Sequence, residues 1–306
     1  MHSKGLHSIA AAVVTALLVG ACTSAGGAPG ATGPTASPVD SAAPGGSTAP
    51  SPVSSELVLR VASEGGFVAP FARLAQPPIV AVYADGRIIS PAPVTMEYPG
   101  RLVAPLQVRS VGDDGARAIL AAATTAGLTI ADAAYPAVGI ADAPDTVFVI
   151  VENGRRITTR FGALAEGMGT PGGQDASEPV RKAAADFLAR LTDPADTFGA
   201  PAAPATLYAP TAFRVWVSPG APAATDPALT QQPIAWPLAI PLASFGTPAM
   251  PDAGIAGMRA GVVAGADAET LDPILARANV LTPFTSGGRS FSLLVRPLLP
   301  EETPAA

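Results

Sequence analysis

The chain has 306 residues, 14% of them charged, and its formal net charge of −6 at pH 7 argues against a nucleic-acid partner. It contains one cysteine and two histidines, and both histidines, His2 and His7, lie close to the N-terminus. The rest of the chain has no imidazole, which excludes Ser-His-Asp and Cys-His catalysis and zinc sites built from His and Cys. We expect no metal centre and no cofactor, because the phosphate-loop and dinucleotide-binding glycine motifs are also missing.

The N-terminal segment predicts secretion. An apolar run from Ile9 to Val19 follows a start that carries Lys4 and no acidic residue. A membrane-spanning helix needs about 20 apolar residues, so this shorter run predicts a signal peptide over residues 1–21. The cysteine, Cys22, follows directly.

The residues around the predicted cleavage point form a second pattern. Val19, Gly20 and Ala21 precede Cys22, and this order of an aliphatic residue, two small residues and cysteine resembles the lipobox of bacterial lipoproteins. The resemblance implies cleavage after Ala21, a diacylglyceryl group on the Cys22 thiol, and a lipid anchor on the extracytoplasmic face of the cell membrane. An ordinary signal followed by an unmodified cysteine is the alternative, although an exposed free thiol suits an oxidising compartment poorly.

A tract of low complexity separates the anchor from the first predicted strand. Residues 22–55 are mostly Ala, Gly, Pro, Ser and Thr, with few apolar side chains that could enter a core. Such a composition predicts a disordered tether, with a root-mean-square reach of roughly 30 Å.

The first predicted folded domain covers residues 56–198. Its strands come from ELVLRVA, PPIVAVYADGRII, LQVRS and DTVFVIVENGRRITTRFG. Asp85-Gly86 and Asn153-Gly154 predict hairpin turns. One helix is predicted after an Asp113 or Asp114 cap, with its end at Gly127. A second helix is predicted after Ser177, with an apolar face formed by Val180, Ala184, Phe187, Leu188 and Leu191. The strand from Val147 to Val151 is apolar on both faces, which predicts a central position in the sheet.

The second predicted domain covers residues 207–300, after a boundary at 199–206, and residues 301–306 form a tail. It begins with the alternating strand AFRVWVS. A Pro-rich passage that cannot form a central strand follows, and then a strand, a helix capped by Asp267 and a last strand. The predicted fold class is therefore α+β, with a sheet and a packed helix in each domain. The similar order of elements leaves an internal duplication open.

Three places are candidate partner contacts. Their residues are Ser63, Gly65, Gly66, Phe67, Trp236, Gly287, Gly288 and Arg289. Phe67 follows a Gly pair that allows close backbone approach, and Trp236 lies between prolines. Gly287-Gly288 before Arg289 could hold an anion. The alternatives are a core Phe67, a Trp236 that covers the second core, and a plain turn at the glycine pair.

Two family resemblances follow from these motifs. The order GGF, YADGR, helix and DTVFVIVENGR, with the ending LTPFTSGGRSFSLLVRPLLP, resembles secreted lipoproteins of actinobacteria that have no assigned activity. The Arg-rich, Ala- and Pro-rich composition is also typical of such G+C-rich genomes. SEGGF after the opening strand is similar to the start of emfourin-type metalloprotease inhibitors, with Glu64 inserted after Ser63. That likeness implies a small sheet packed on a helix.

The sequence therefore favours a lipid-anchored binding protein without catalytic activity, whose partner is an envelope protein or a wall component. A protease-inhibitor-like module is one specific version. A hydrolase of wall polymer that uses two carboxylates is the catalytic alternative, and a structural accessory subunit of an envelope complex is a third. No catalytic residue is assigned, because Asp113-Asp114 is better explained as a helix cap.

Overall fold

The computed structural model describes residues 56–68, 70–137, 140, 142–164, 177–193, 195–201, 203–224, 226–249 and 255–302. The predicted signal with Val19, Gly20 and Ala21, the lipidation site Cys22 and the tether to residue 55 lie outside these ranges. Among the described residues, no helix is both long and apolar enough to cross a membrane.

The first sheet is built from residues 57–207. Its strands are β1 (Leu57–Gly65), β2 (Val80–Tyr83), β3 (Arg87–Pro91), β4 (Leu106–Ser110), β5 (Ala133–Tyr135), β6 (Pro144–Glu152), β7 (Arg155–Gly162) and β8 (Thr206–Leu207). The helices of this region are α1 (Pro70–Leu74), α2 (Gly112–Thr125) and α3 (Glu178–Thr192). In the described chain the strand order is β5-β7-β6-β1-β2-β3-β4-β8, so β6 is central, as its apolar faces predict.

Both predicted hairpin turns are confirmed. Asn153 and Gly154 connect β6 to β7 with φ angles of 51° and 74°, which a tight two-residue turn requires and Asn-Gly supplies. Gly86 connects β2 to β3 with φ of 79°, and a Cβ at this position would lie 2.2 Å from the carbonyl oxygen of Gly112. A residue other than glycine would therefore displace the start of α2.

Helices α2 and α3 share a core with one face of this sheet. The buried side chains of this core include Leu59, Val80, Ile88, Ile119, Leu128, Phe148, Ile150, Phe161, Phe187 and Leu191. The apolar face predicted for α3 is confirmed at Ala184, Phe187 and Leu191. Arg181 is also buried on that helix, where its guanidinium donates to the carbonyl oxygens of Tyr135 and Gly162 at 2.9 and 2.5 Å.

The predicted start of α2 is wrong by two or three residues, and its predicted end is confirmed. The helix begins at Gly112, so Asp113 and Asp114 lie in its first turn instead of capping it. An acidic side chain is favourable both at the N-cap and in the first turn, because the positive end of the helix dipole attracts it in either place. At the other end Gly127 has φ of 78°, and the Leu128 N–H donates to the Ala123 carbonyl oxygen at 3.0 Å, which is a Schellman ending.

The second sheet is built from residues 212–297. Its strands are β9 (Ala212–Pro219), β10 (Ile234–Ala235), β11 (Thr247–Pro248), β12 (Arg259–Ala264), β13 (Phe284–Ser286) and β14 (Arg289–Pro297), with α4 (Ala266–Leu275) after β12. Short 3-10 helices occupy Pro227–Leu229 and Leu242–Ser244. The described strands are ordered β10-β13-β14-β9-β12-β11, which leaves the Pro-rich passage at an edge in β10, as predicted.

Helix α4 covers one face of the second sheet. It begins at Ala266 after Gly265, so Asp267 lies in the first turn and the predicted Asp267 cap is wrong. The duplication left open by the order of elements would align Ile119-Leu120 with Ile274-Leu275, and the burial of these two pairs is out of phase. In α2 Ile119 is buried and Leu120 half-buried, whereas in α4 Leu275 is buried and Ile274 half-buried.

One residue from the first region packs on the second sheet, and one residue after the second sheet packs on the first. Leu102, between β3 and β4, packs into the core of the second sheet, and its N–H donates to the Ala278 carbonyl oxygen at 3.1 Å. Leu299, after β14, packs on the first sheet beside Leu57 and Tyr83. The described residues belong to one compact unit.

The first residues of the predicted tail are bonded to the fold. The Tyr83 hydroxyl donates to Glu301 Oε2 at 2.6 Å, and Arg296 donates to Glu302 at 2.6 Å. Burial, with the bond to Glu301, raises the pKa of Tyr83, so this phenol stays a donor. The fold class α+β with two sheets is confirmed, while the division into domains at 56–198 and 207–300 stays a prediction.

Candidate functional site

The loop after β1 carries an exposed apolar cluster. Ser63 and Gly65 lie within β1, where they pair with β6, and Gly66 begins the turn that follows. The side chain of Phe67 is 88% exposed. Val68 and Phe71 are also exposed, so three large apolar side chains face solvent within five residues of chain. We use the name Phe67 loop for Gly66, Phe67 and Val68 together with the exposed Phe71 at the start of α1.

Polar contacts fix the backbone of the Phe67 loop. The Phe67 N–H donates to the Asp142 carbonyl oxygen at 2.9 Å. The Arg73 guanidinium donates to the carbonyl oxygens of Gly66 and Val68, the latter at 3.2 Å. A Cβ on Gly66, whose φ is 78°, would lie 2.9 Å from the Pro144 nitrogen. The loop is therefore held by hydrogen bonds and by a glycine, while its aromatic side chain is left out of the core.

Trp236 has the opposite environment. It is buried in the core of the second sheet, where its ring packs edge-on against Phe245 and Phe284 at centroid distances of 5.9 and 6.3 Å. Its indole N–H donates to the Ile240 carbonyl oxygen at 3.0 Å. The structure thus favours the packing interpretation of Trp236 over the contact interpretation.

Gly287 and Gly288 form the turn between β13 and β14. Their φ angles are 59° and 73°, and Ser286 pairs with Arg289 across them, so the turn itself requires both glycines. The Arg289 guanidinium lies over the Phe291 ring, 5.5 Å from its centroid. This environment favours the plain-turn interpretation over an anion cradle.

The segment between β3 and β4 forms a second exposed surface, which the sequence analysis missed. Val94, Met96 and Tyr98 are 56%, 101% and 63% exposed. They border an open cleft of about 510 Å³ together with Arg101. The signal in the sequence was VTMEY between two strands, where Val94, Met96 and Tyr98 alternate with polar residues. This alternation is typical of a strand, but these residues form none in the structure.

Two further clefts open beside the same segment. One, of about 360 Å³, lies between Tyr98 and Arg101 on one side and Arg277 and Asn279 on the other. The other, of about 300 Å³, lies between β4 and α4 and is lined by Arg101, Leu207 and Asp272. Arg101 borders all three clefts.

Arginines lower the pKa of two carboxylates, Asp196 and Glu302. The hydrogen bond from Arg190, helped by the Phe198 N–H, lowers the pKa of Asp196. Burial works to raise the pKa of Glu302, but the bond and charge of Arg296 outweigh it and keep that pKa below its usual range. In the described part of the chain, no three His, Cys, Asp or Glu side chains are grouped so that they could hold a metal ion.

Comparison of the chain with protein-family models, with curated proteins and with solved structures gives no match in any of the three.

Proposed function

We propose that this protein is a lipid-anchored binding protein on the extracytoplasmic face of the cell membrane, which contacts an envelope partner through the Phe67 loop and performs no chemistry. The exposure of Phe67 on a loop whose backbone is fixed carries this proposal. The lipobox pattern at Cys22 and the composition of residues 22–55 support the anchor and the tether.

The energetics of the Phe67 loop suit a protein contact. Complete burial of one large apolar side chain contributes about 1.5–3 kcal/mol, and three such side chains lie together here. Aromatic side chains that fill a partner's pocket contribute strongly to binding. The bonds from Arg73 reduce the loss of backbone freedom on binding, which improves affinity.

The position of the loop suits an anchored molecule. β1 begins at Leu57, directly after the proposed tether, and its nine residues end at Gly65. An extended strand rises about 3.3 Å per residue, so the Phe67 loop lies roughly 30 Å from the point where the tether joins the sheet. The tether adds its own reach of roughly 30 Å, which allows contact with partners well away from the bilayer.

Protease inhibition is one specific version of this proposal. The similarity to emfourin-type inhibitors rests on SEGGF, and Phe67 of that motif is the exposed residue. The purified protein at micromolar concentration should then slow a secreted metalloprotease, and Phe67→Ala should remove the effect. Unchanged protease activity across a panel of such enzymes would leave contact with another envelope protein as the function.

The anchor and the contact are tested separately. Cys22→Ser should release the protein into the medium, whereas retention on the membrane would contradict lipid anchoring. In-cell crosslinking of the anchored wild type should capture a reproducible partner. The purified partner should bind Phe67→Ala about 10- to 100-fold more weakly than wild type, because one buried aromatic anchor is worth about 2 kcal/mol or more. Equal affinities would contradict the role of the loop.

A further inference from the structure

An apolar cleft and a polar cleft meet at Arg101. The apolar one, of about 510 Å³, is bordered by Val94 and Met96, and its walls are formed by residues 91–105. The polar one, of about 360 Å³, is bordered by Arg277 and Asn279. Tyr98 and Arg101 line both. Both volumes fall within the range of small-molecule sites, roughly 300–1,000 Å³.

The polar cleft presents hydrogen-bond donors that are not used by the described residues. The exposed side chains of Arg101 and Arg277 have neither a hydrogen bond nor an ion pair there. Asn279 Nδ2 donates to Gln231 Oε1 at 2.9 Å, and Gln231 Nε2 donates to the Leu229 carbonyl oxygen at 2.8 Å. Each amide group keeps a second N–H, because a side-chain amide carries two. Such a donor-rich surface suits an oxyanion.

Most other arginines of the described chain use their guanidinium groups in ion pairs or hydrogen bonds. Arg87, Arg160 and Arg296 pair with carboxylates at 2.6–2.8 Å. Arg109 and Arg259 donate to carbonyl oxygens at 2.7–2.9 Å. Two unengaged arginines on one cleft of an acidic protein therefore mark a local positive site.

Two carboxylates also border this region. Glu97 lines the apolar and the polar cleft, and Asp272 lines the neighbouring cleft beside α4. Neither forms an ion pair with Arg101 or Arg277 in the described chain. The polar cleft keeps a net positive charge, since two guanidiniums face one carboxylate.

Backbone bonds fix the two walls of the polar cleft. Arg101 forms an antiparallel bridge with Asn279. The Leu102 N–H donates to Ala278, and the Val280 N–H donates to Gly100 at 3.0 Å. The arginines on both walls are therefore held at a constant backbone separation, which lowers the entropic cost of binding a ligand between them.

We propose that these adjoining clefts bind an anionic amphiphile. The charged head group lies between Arg101 and Arg277 and accepts hydrogen bonds from them, and the hydrocarbon part covers Val94 and Met96. The charged and the apolar part of the ligand match the polar and the apolar cleft, which adjoin at Tyr98 and Arg101. The site uses no residue of the Phe67 loop, so its success or failure is independent of the proposed partner contact.

Matched probes test both halves of the site. The full chain carrying Cys22→Ser, purified without detergent, is titrated by calorimetry with dodecyl phosphate below its micelle concentration, with dodecanol and with inorganic phosphate. Dodecyl phosphate should bind at least about ten-fold more tightly than either of the others, because both charge-assisted bonds and apolar burial contribute to its binding, whereas each of the other probes offers only one of the two. Equal binding of dodecanol, or equal binding of phosphate, would overturn the proposal.

Variants assign the binding to these side chains. Arg101→Ala and Arg277→Ala should each weaken dodecyl phosphate binding about ten-fold, and Met96→Asp should weaken it by a similar factor. Glu97→Gln should strengthen it several-fold by removing a repelling charge. Arg117→Ala, an exposed arginine of α2 that pairs with Asp114, is the control and should change nothing. Unfolding curves confirm that each variant is folded, and binding that survives both cleft arginine substitutions would overturn the site.

Discussion

Phe67 and Trp236 are both candidate contact residues in the sequence, but their environments in the fold are opposite. Each stands beside residues that break regular structure, a glycine pair at Phe67 and prolines at Trp236. Phe67 is 88% exposed and Trp236 is 8% exposed. The difference lies in which groups the hydrogen bonds hold, the side chain of Trp236 or the backbone of the Phe67 loop. The indole N–H finds a carbonyl oxygen inside the fold, whereas the bonds of the Phe67 loop fix its backbone alone.

The exposure of each aromatic residue depends on residues outside its own short motif. Phe245 and Phe284, which enclose Trp236, come from later segments of the sequence. Arg73 and Asp142, which hold the Phe67 loop, likewise lie outside the SEGGF motif. Substitution of Trp236 should therefore change the stability of the protein, whereas substitution of Phe67 should change partner binding.

Among these substitutions, Trp236→Ala should destabilise the protein most. Removal of this buried ring should lower the free energy of unfolding by about 3–5 kcal/mol, because it leaves a cavity between Phe245 and Phe284. Urea unfolding measures the change, with wild type as reference. A loss below about 1 kcal/mol would show that the ring is not packed as described.

Arg73→Met should have an intermediate effect. The substitution keeps the length of the side chain but removes its bonds to the carbonyl oxygens of Gly66 and Val68, at a cost of about 1–3 kcal/mol. The Phe67 amide should exchange with deuterium faster, and partner binding should weaken although Phe67 is intact. Unchanged amide exchange at Phe67 would contradict the role of Arg73 in holding the loop.

Glu302→Gln tests a contact outside both regions. At pH 7 it should cost about 1–2 kcal/mol, because Arg296 and the Leu299 N–H lose a charged acceptor in a partly buried place. The pKa of Glu302 is lowered in the fold, so its contribution is complete above the unfolded value of about 4.3 and is lost as the pH falls through the folded pKa.

The measurement for Glu302 is urea unfolding of both proteins across pH. The difference between wild type and Glu302→Gln should be largest near neutral pH and should shrink below about pH 4. Partner binding at pH 7 should not change, because the Phe67 loop is not in contact with this pair. A difference in stability that stays constant with pH would contradict the charged pairing.

Phe67→Ala should have the smallest effect on stability. An exposed side chain contributes little to folding, so the free energy of unfolding should change by less than about 0.5 kcal/mol. Thermal and urea unfolding of this variant, compared with Trp236→Ala, complete the comparison. A loss as large as that of a core substitution would show that Phe67 packs inside the protein.

The sequence predicted those elements that depend on residues close together in the chain. The Asn153-Gly154 turn, the end of α2 at Gly127 and the central position of β6 follow from backbone preferences and from apolar runs. The helix starts at Asp113 and Asp267 were misplaced, because an acidic residue is favourable both as a cap and in the first turn.

Features that depend on long-range packing could not be predicted in this way. No periodicity indicates that Leu102 enters the core of the second sheet or that Leu299 packs on the first. Arg101 carries no motif, and its position at three clefts follows from its bridge to Asn279, which lies far along the chain. Of the candidate contacts, Phe67 is exposed in the structure, while Trp236 and the Gly287-Gly288 turn have structural roles.

Site-specific photocrosslinking in cells tests most directly whether the Phe67 loop contacts a partner. A photoreactive residue is placed at position 67 of the anchored chain, and in a matched protein at Thr124, an exposed position on α2. Position 67 should yield a covalent adduct with one reproducible envelope protein, and position 124 should yield none. The same adduct from both positions, or adducts from position 124 alone, would contradict a contact surface at the Phe67 loop.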